Sequence, residues 1–477
     1  MSKQEGITVK REENWDKWYP QICLKAELMD YSPVSGCYIL RPRGYYLWEA
    51  LQTYLDAAFK KSGVQNAYFP LFIPESLLKK EAEHVEGFTP EVAWVTHAGN
   101  SKLPERLAIR PTSETIMYNS YKEWIRSHRD LPLRLNQWNN VVRWEFKNPV
   151  LLMRYREFLW QEGHTVFATK QEADAEVREM LEIYRKAYED VLALPMYAGM
   201  KTDYEKFPGA DYTTSVEIFL PNGRGVQAAT SHHLGQRFAK AFDITFKDES
   251  GKQVYPYQNS WGFATRALGI VAFMHSDDKG LVLPPRAAEK QIVIVPIFNA
   301  DNKEIVLKEA GKLAKKLSEF RVFIDDREGY TPGWKFNEWE LKGLPLRIEI
   351  GMRDIQNKSA VAVKRNDGKK QTVKMVSIAK DTECLLDTIH AELLENAWKK
   401  MHLVMVEVNT VTDLKKALAN KKVGVAGWCG ETDCEVALKE KIGARSSNYA
   451  FNKEPINTSC IVCKKPAKHV MRFAKYY

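Results

Sequence analysis

Apolar positions recur every three or four residues along residues 44–61, so that Tyr45, Trp48, Leu51, Leu55 and Phe59 fall on one side of a helix. Gly63, just beyond, suits the left-handed turn that closes such a helix, and residues 66–70 read as a short strand. Long helical patterns alternate with strand-like runs up to about residue 286. The connector Leu283-Pro-Pro-Arg286 is stiffened by its paired prolines. Beyond it the rhythm becomes strand, helix, strand: strands at 292–298, 321–325 and 345–351, helices at 302–319 and 334–341, then short strands at 359–364 and 371–376. This alternation predicts a small α/β domain with a mostly parallel sheet. A nucleotide-binding doubly wound domain is the competing reading, but no glycine-rich loop follows its first strand. A helical connector over 381–400 leads to a cysteine-bearing tail. Neither internal repeats nor low-complexity segments occur. The expected division is 1–286, 287–385 and 386–477.

Size and composition fit this picture. A chain of 477 residues exceeds one ordinary core. Its 44% apolar and 27% charged residues describe a globular protein, and 13 Trp, 21 Tyr and 20 Phe supply material for cores. The net charge of +9 permits a polyanionic partner without demanding one. The first residues are polar and lack the apolar run of a signal peptide, and no apolar stretch is long enough to span a bilayer. Seven cysteines without an export signal point to a reducing, cytoplasmic setting. Four of them gather near the C-terminus.

Candidate chemistry concentrates in residues 141–164. Val141-Val-Arg-Trp-Glu145, a loop, and Glu157-Phe-Leu-Trp-Gln-Glu-Gly-His164 predict an antiparallel hairpin. Alternation puts Arg143 and Glu145 on one side, and Phe158, Trp160, Glu162 and His164 together on one face. Arg154 lies in the loop. A solvated amphipathic hairpin would explain the charges, but not the two aromatic rings among them. Rings beside a fixed arginine suit a flat base next to a phosphate.

These residues resemble motif 2 of class II aminoacyl-tRNA synthetases. Residues 44–61 with the strand ending at Pro70 resemble motif 1, which builds the dimer interface in that class, and Ser260-Trp-Gly-Phe-Ala-Thr-Arg266 resembles motif 3. Pro111-Thr-Ser-Glu114, Glu157 to His164, Ala229-Thr-Ser-His-His-Leu-Gly235 and Gly280-Leu-Val-Leu-Pro-Pro-Arg286 are similar, in order and wording, to prolyl-tRNA synthetases of the archaeal and eukaryotic type. The likeness spans essentially the whole chain. It implies a class II antiparallel-sheet catalytic core, an α/β anticodon-binding domain and a small C-terminal zinc-binding domain, an α/β and α+β multidomain protein that works as a homodimer.

The same resemblance implies activation of L-proline by ATP and Mg²⁺, then transfer to tRNA(Pro). Arg143 would bridge the amino-acid carboxylate and the α-phosphate, and Arg154 would hold the distal phosphates. Phe158 and Arg266 would sandwich the adenine while Glu145 receives its amino group. Tyr155, Gln227, Thr230 and Thr265 complete the implied nucleotide site, with Gln227 near a magnesium ion. Thr112 and Glu114 are typed to accept the two N–H donors of a prolinium ion. Trp160, Phe207, Trp261 and Gly262 would wall its ring, and Glu162, His164 and His232 would complete or support the pocket. Because the substrate brings the nucleophile, positioning and charge stabilisation dominate, and no catalytic Ser, Cys or His is needed. The catalytic region has no Cys after Cys37, which weakens a threonyl-type zinc site. Ala264 stands where relatives often carry a hydroxyl. About 100 residues separate motifs 2 and 3, too few for an inserted editing domain, although a hydrophobic pocket rejects a smaller amino acid by only ~10–200-fold. A non-catalytic RNA-binding relative is the competing class. Such relatives tend to lose arginines and acids, and Arg143, Glu145, Arg154, Glu114 and Arg266 are all present.

Residues 330–354 resemble the anticodon-binding domain of class IIa synthetases, where Glu340 and Arg347 could read guanine edges; a surface ion pair is the plainer reading. Cys429 and Cys434, then Cys460 and Cys463 after 25 intervening residues, have the spacing of a closed structural zinc site. In the family the terminal tyrosine carboxylate can reach toward the active site. For Tyr477 a frayed terminus is the alternative.

Overall fold

A computed structural model describes residues 6–84, 91–144, 148–452 and 458–477. Its centre is an 11-stranded sheet whose path runs through Met405–Glu407, Val423–Trp428, His469–Tyr476, Arg224–Gly235, Tyr257–Ala264, Glu157–Phe167, Leu133–Val142 and Gln65–Asn66. The pairings from Arg224–Gly235 to Leu133–Val142 are antiparallel, as a class II core requires.

Two amphipathic helices cover one face. Pro42–Lys61 buries Leu47, Trp48, Leu51, Leu55 and Phe59, and ends where Gly63 takes a φ of +79°. Lys170–Leu192 starts at a reciprocal cap, in which the Glu172 amide donates to Thr169 Oγ1 (3.3 Å) and Thr169 N–H donates to the Glu172 carboxylate (3.0 Å). Its Val177, Met180, Leu181, Tyr184 and Tyr188 pack with the first helix and with Trp261 and Phe263 of the sheet into one apolar core. Burial behind the sheet leaves the opposite face to carry polar groups. The expected strand at 66–70 is only Gln65–Asn66. Pro70 has no amide proton for a ladder, and pairing resumes at Phe72–Pro74.

The second unit begins with Ile292–Ile297, which pairs in parallel with Val322–Ile324 and Leu346–Gly351. The sheet then turns antiparallel through Ser359–Lys364 and Lys370–Lys374, so the expectation of a mostly parallel sheet is corrected to a mixed one. The cause is connection length. Residues 352–358 hold only the short helix Met352–Gln356, whereas a parallel crossover needs about a dozen residues or more.

Helix Ile378–Leu403 runs unbroken across residue 386 and delivers the chain to the tail. There His469–Tyr476 lies antiparallel to Val423–Trp428, and its last residues pair in parallel with strand Arg224–Gly235, Lys475 against Arg224 and Tyr476 against Gly225. The C-terminus therefore extends the central sheet. Among the described residues no helix is long and apolar enough to cross a membrane.

Candidate active site

The second hairpin strand forms as its alternation predicts, whereas the first is Leu133–Val142, so the expected strand Val141–Glu145 is corrected: only Val141 and Val142 lie in it and Arg143 follows its end. Val141 faces Phe158, Asn139 faces Trp160, Gln137 faces Glu162 and Leu135 faces His164. Trp160, Glu162 and His164 line one chamber, of about 300 Å³, and Phe158 with Trp160 lines an adjoining cleft. Arg143, Trp160, Gln227, Thr230 and Gly262 border both. Arg143 stands at this junction just past its strand, with its amide bonded to Arg156 O (2.8 Å) and its Nε donating to Pro111 O (2.9 Å). Its guanidinium carbon lies 5.5 Å from the Phe158 ring centre and 5.1 Å from that of Trp160. Glu145 falls outside the described residues.

In the chamber, Glu162 is the hub of a buried web. It accepts from the Ser113 amide (2.9 Å) and hydroxyl (2.5 Å), from Asn139 Nδ2 (2.7 Å) and from Gln137 Nε2 (3.3 Å), and it meets His164 Nε2 at 3.0 Å. Burial alone would push its carboxyl up, but His164, Ser113 and Asn139 outweigh that and hold it below the usual carboxylate range. Glu114, Glu162 and His164 come close enough to suggest a cation site, yet the Glu162 oxygens are already claimed by these donors. Glu114 opens helix Glu114–Trp124 and accepts a short hydrogen bond from the Thr112 hydroxyl. Trp261 forms the floor beneath Gly163, where any Cβ would collide with the indole ring. Phe207 stacks at a tilt on His232, ring centres 4.8 Å apart. Burial, then the nearby His164 and Arg143, push His232 down to about 3, so its ring is neutral at physiological pH.

In the cleft, Arg266 is held by two main-chain carbonyls: Nε donates to Met153 O and Nη1 to Gln227 O, both 2.9 Å. Phe158, Tyr155, Gln227 and Thr230 line the same space. Thr265 sits behind it, with its hydroxyl donating to Leu159 O (3.0 Å) and receiving a short bond from Tyr155. Arg154 does not join this cleft. It lines a neighbouring cavity of about 490 Å³ together with Arg224 and Tyr477. Tyr477 is ordered, with its amide donating to Gly225 O (3.2 Å) and its hydroxyl accepting from Asn222 Nδ2 (2.9 Å).

Two further clusters lie apart from this face. Cys429 Sγ is 3.7 Å from Cys434 Sγ and 3.6 Å from Cys463 Sγ, and all four sulfurs, Cys460 included, lie within 4.8 Å of one another. A tetrahedral ion with ~2.3 Å metal–sulfur bonds sets its sulfurs ~3.8 Å apart, so this donor set fits zinc. In the second unit Arg347 approaches Glu340 at 3.4 Å, is gripped by Glu349 through Nε (3.1 Å) and Nη2 (3.0 Å), and covers the Phe336 ring at 4.1 Å.

Sequence reasoning missed several participants. Gln137 and Asn139 were within reach of the period-two rule applied to the first hairpin strand. Glu205 and Arg445 also line the chamber, but 240 residues separate them and no local pattern joins them.

Comparison with known proteins follows the same layout. The tRNA synthetase class II core domain (G, H, P, S and T) family matches residues 95–274, the anticodon binding domain family residues 291–383, and the prolyl-tRNA synthetase C-terminal family residues 411–477. A cytoplasmic proline--tRNA ligase of Arabidopsis thaliana is 47% identical, covering 99% of this chain and 91% of that protein. A proline--tRNA ligase of Alkaliphilus oremlandii is 47% identical over 100% of both chains. The bifunctional glutamate/proline--tRNA ligase of Mus musculus is 45% identical over 99% of this chain, which spans 33% of that larger protein.

Proposed function

We infer the reaction from one premise: the chain belongs to the proline--tRNA ligase family and is an aminoacyl-tRNA ligase. ATP and Mg²⁺ are general to its class, and its anticodon-binding domain implies a tRNA partner. The proposal is that L-proline reacts with ATP to give prolyl-adenylate and pyrophosphate, and that the prolyl group then passes to tRNA(Pro). The observation that carries it is the pair of joined chambers with Arg143 at their junction.

Proline sits in the chamber with its secondary ammonium at Glu114 and Thr112. Glu114 supplies the counter-charge and the Thr112 oxygen a second acceptor. The ionised Glu162 web keeps Thr112, Ser113 and His164 in place. Trp160, Phe207, Trp261 and Gly262 enclose the pyrrolidine ring. Neutral His232 adds no positive charge beside the ammonium, which a protonated ring would repel. The adenine lies in the cleft between Phe158 and Arg266, with Tyr155, Thr230 and Thr265 shaping or supporting the site, and the phosphates extend toward Arg154.

The proline carboxylate oxygen attacks the α-phosphorus in line, and the bond from that phosphorus to the bridging oxygen of pyrophosphate breaks. Arg143 presents a planar cation to both partners as negative charge shifts to the leaving oxygen. Gln227, which borders both cavities, would meet a magnesium–phosphate group, and the ion would neutralise charge on the phosphates. A ribose hydroxyl of the terminal tRNA adenosine then attacks the anhydride carbonyl and AMP departs.

Other parts of the proposal rest on narrower support. The four cysteines hold zinc as a closed structural site with no part in the chemistry. Glu340 and Arg347 face the anticodon. The chain works as a homodimer in the cytoplasm, its catalytic, anticodon-binding and zinc-binding domains spanning 1–286, 287–385 and 386–477. No editing domain is inserted, a reading supported by the strands and helices between Arg154 and Arg266, most of which build or pack on the central sheet. Formation of prolyl-tRNA from purified chain, tRNA(Pro), ATP and labelled proline tests the function. Label in acid-precipitable tRNA is expected, and its absence with competent tRNA contradicts the reading.

A further inference from the structure

The chamber is bordered on one side by a segment that the far end of the chain holds. Residues 201–210 follow strand Tyr197–Met200 and carry Phe207 to the His232 ring. On the catalytic side, the Phe207 amide donates to Thr213 Oγ1 (2.9 Å). Much of the remaining hold comes from residues 435–446. Thr202 Oγ1 donates to Glu435 Oε1 (2.9 Å), Lys439 Nζ meets the Tyr204 hydroxyl (3.0 Å), and Lys201 Nζ reaches Ser446 O (3.4 Å) as well as Glu217 (2.9 Å). Arg445 grips the Glu205 carboxylate with two nitrogens, Nε at 3.1 Å and Nη2 through a shorter bond, and its guanidinium lies 5.3 Å from the Tyr476 ring centre.

These anchors differ in kind. Lys201 and Glu217 are sealed in the interior, 1% and 0% exposed, and removing either charge would threaten folding. Arg445 is 41% exposed against 7% for Glu205, and both side chains border the chamber itself. A bidentate arginine–carboxylate pair fixes orientation as well as distance. It acts two residues before Phe207, so it sets where that ring stands over the bound amino acid. The cleft that takes the nucleotide is lined by neither member of the pair.

We propose that Arg445 is a positioning residue for the amino acid: by clamping Glu205 it holds residues 201–210 so that Phe207 closes the chamber, and the C-terminal region thereby sets affinity for proline without setting affinity for ATP. The inference rests on the reading that this chamber holds proline. Burial pushes the Glu205 carboxyl up, and Arg445 more than offsets this and keeps it below the usual carboxylate range, so the pair stays ionised at neutral pH.

Proline-dependent ATP–pyrophosphate exchange, with KM measured separately for proline and ATP, tests the clamp in Arg445→Ala, Arg445→Lys, Glu205→Gln and the charge exchange Arg445→Glu with Glu205→Arg. Losing a charge-assisted bidentate contact should raise the proline KM roughly tenfold or more while the ATP KM stays within about twofold of wild type. Lysine, a point charge without the fork, should fall between, and the charge exchange should recover part of the loss. Thermal melting run in parallel checks that each variant folds; should Arg445→Ala unfold, Arg445→Lys carries the same comparison. A proline KM within about twofold of wild type in a folded variant, or equal rises in both KM values, overturns the proposal. If the wild-type chain shows no proline-dependent exchange at all, the site reading itself falls, an outcome distinct from a working enzyme indifferent to Arg445.

Discussion

The two halves of the site are built differently, although one arginine joins them. In the chamber around Glu162, side chains hold side chains: Ser113, Gln137, Asn139 and His164 converge on Glu162, and Thr112 is tied to Glu114. In the cleft around Arg266, the backbone holds the side chain, because Nε and Nη1 of Arg266 donate to the main-chain carbonyls of Met153 and Gln227. A web of charged and polar side chains is specific to one arrangement of donors and is costly to break. Main-chain carbonyls exist whatever the sequence, so a cleft built on them needs only an arginine and a ring. Selectivity should therefore reside in the chamber and generic nucleotide binding in the cleft.

That contrast can be broken in order of severity. Arg143→Ala removes the group shared by both halves, and the rate of adenylate formation should drop ~100-fold or more, the scale for losing a preorganised transition-state donor. A stopped-flow or exchange rate near wild type would remove Arg143 from its role. Glu114→Gln keeps the shape but deletes the counter-charge, so the proline KM should rise by roughly tenfold to a hundredfold with the ATP KM little changed. Phe158→Ala should do the opposite, raising the ATP KM by about tenfold and leaving that for proline. Parallel rises in either variant would erase the division between chamber and cleft.

Acid sharpens the same contrast more gently. Folded Glu162 is held below its unfolded value by His164, Ser113 and Asn139, so its contribution is present above the ordinary carboxylate range and is lost as pH falls below about 4.5. His232 and His275 are held at about 3 by burial. The unfolded chain then binds protons at these two sites that the folded one refuses, so their contribution to stability declines as pH drops below about 6.5. It is opposed by the buried Glu176 carboxyl, which burial pushes up to about 7 and which takes up its proton in the folded state over the same range. For the deeply buried His275 the decline amounts to about 2 kcal/mol at pH 5. In urea melts between pH 7 and 5, His275→Gln should lose less stability, or gain more, than the wild type over the same range. Smallest of all for the site should be the loss of one thiolate. Cys434→Ser should lower the bound zinc measured by mass spectrometry from one per chain and lower the melting temperature of the tail, leaving the ATP KM within about twofold.

The hairpin face was legible because strands alternate with a period of two, and Phe158, Trp160, Glu162 and His164 kept that period. The helix at Pro42–Lys61 was legible from its apolar stripe and its terminal Gly63. The roles proposed for Thr112 and Glu114 rest on family likeness, since a threonine and a glutamate two residues apart carry no geometry of their own. The joining of Lys475 and Tyr476 to Arg224 and Gly225 had no local signal. It is a parallel pairing across about 250 residues of chain, and at Gly225 it depends on a missing side chain, because a Cβ there would stand 2.5 Å from the Tyr476 ring. Arg445 belongs to the same class of contact. Contacts between distant segments are decided by how whole units pack, and no spacing in the sequence records them.

The most direct test of the account is ATP–pyrophosphate exchange run with each of the twenty amino acids in turn. With Glu114 and Thr112 proposed to accept the two N–H donors of a prolinium ion and aromatic rings lining the chamber, exchange with proline is predicted to stand far above every other. Exchange with threonine or glycine alone, or with none of them, would contradict it.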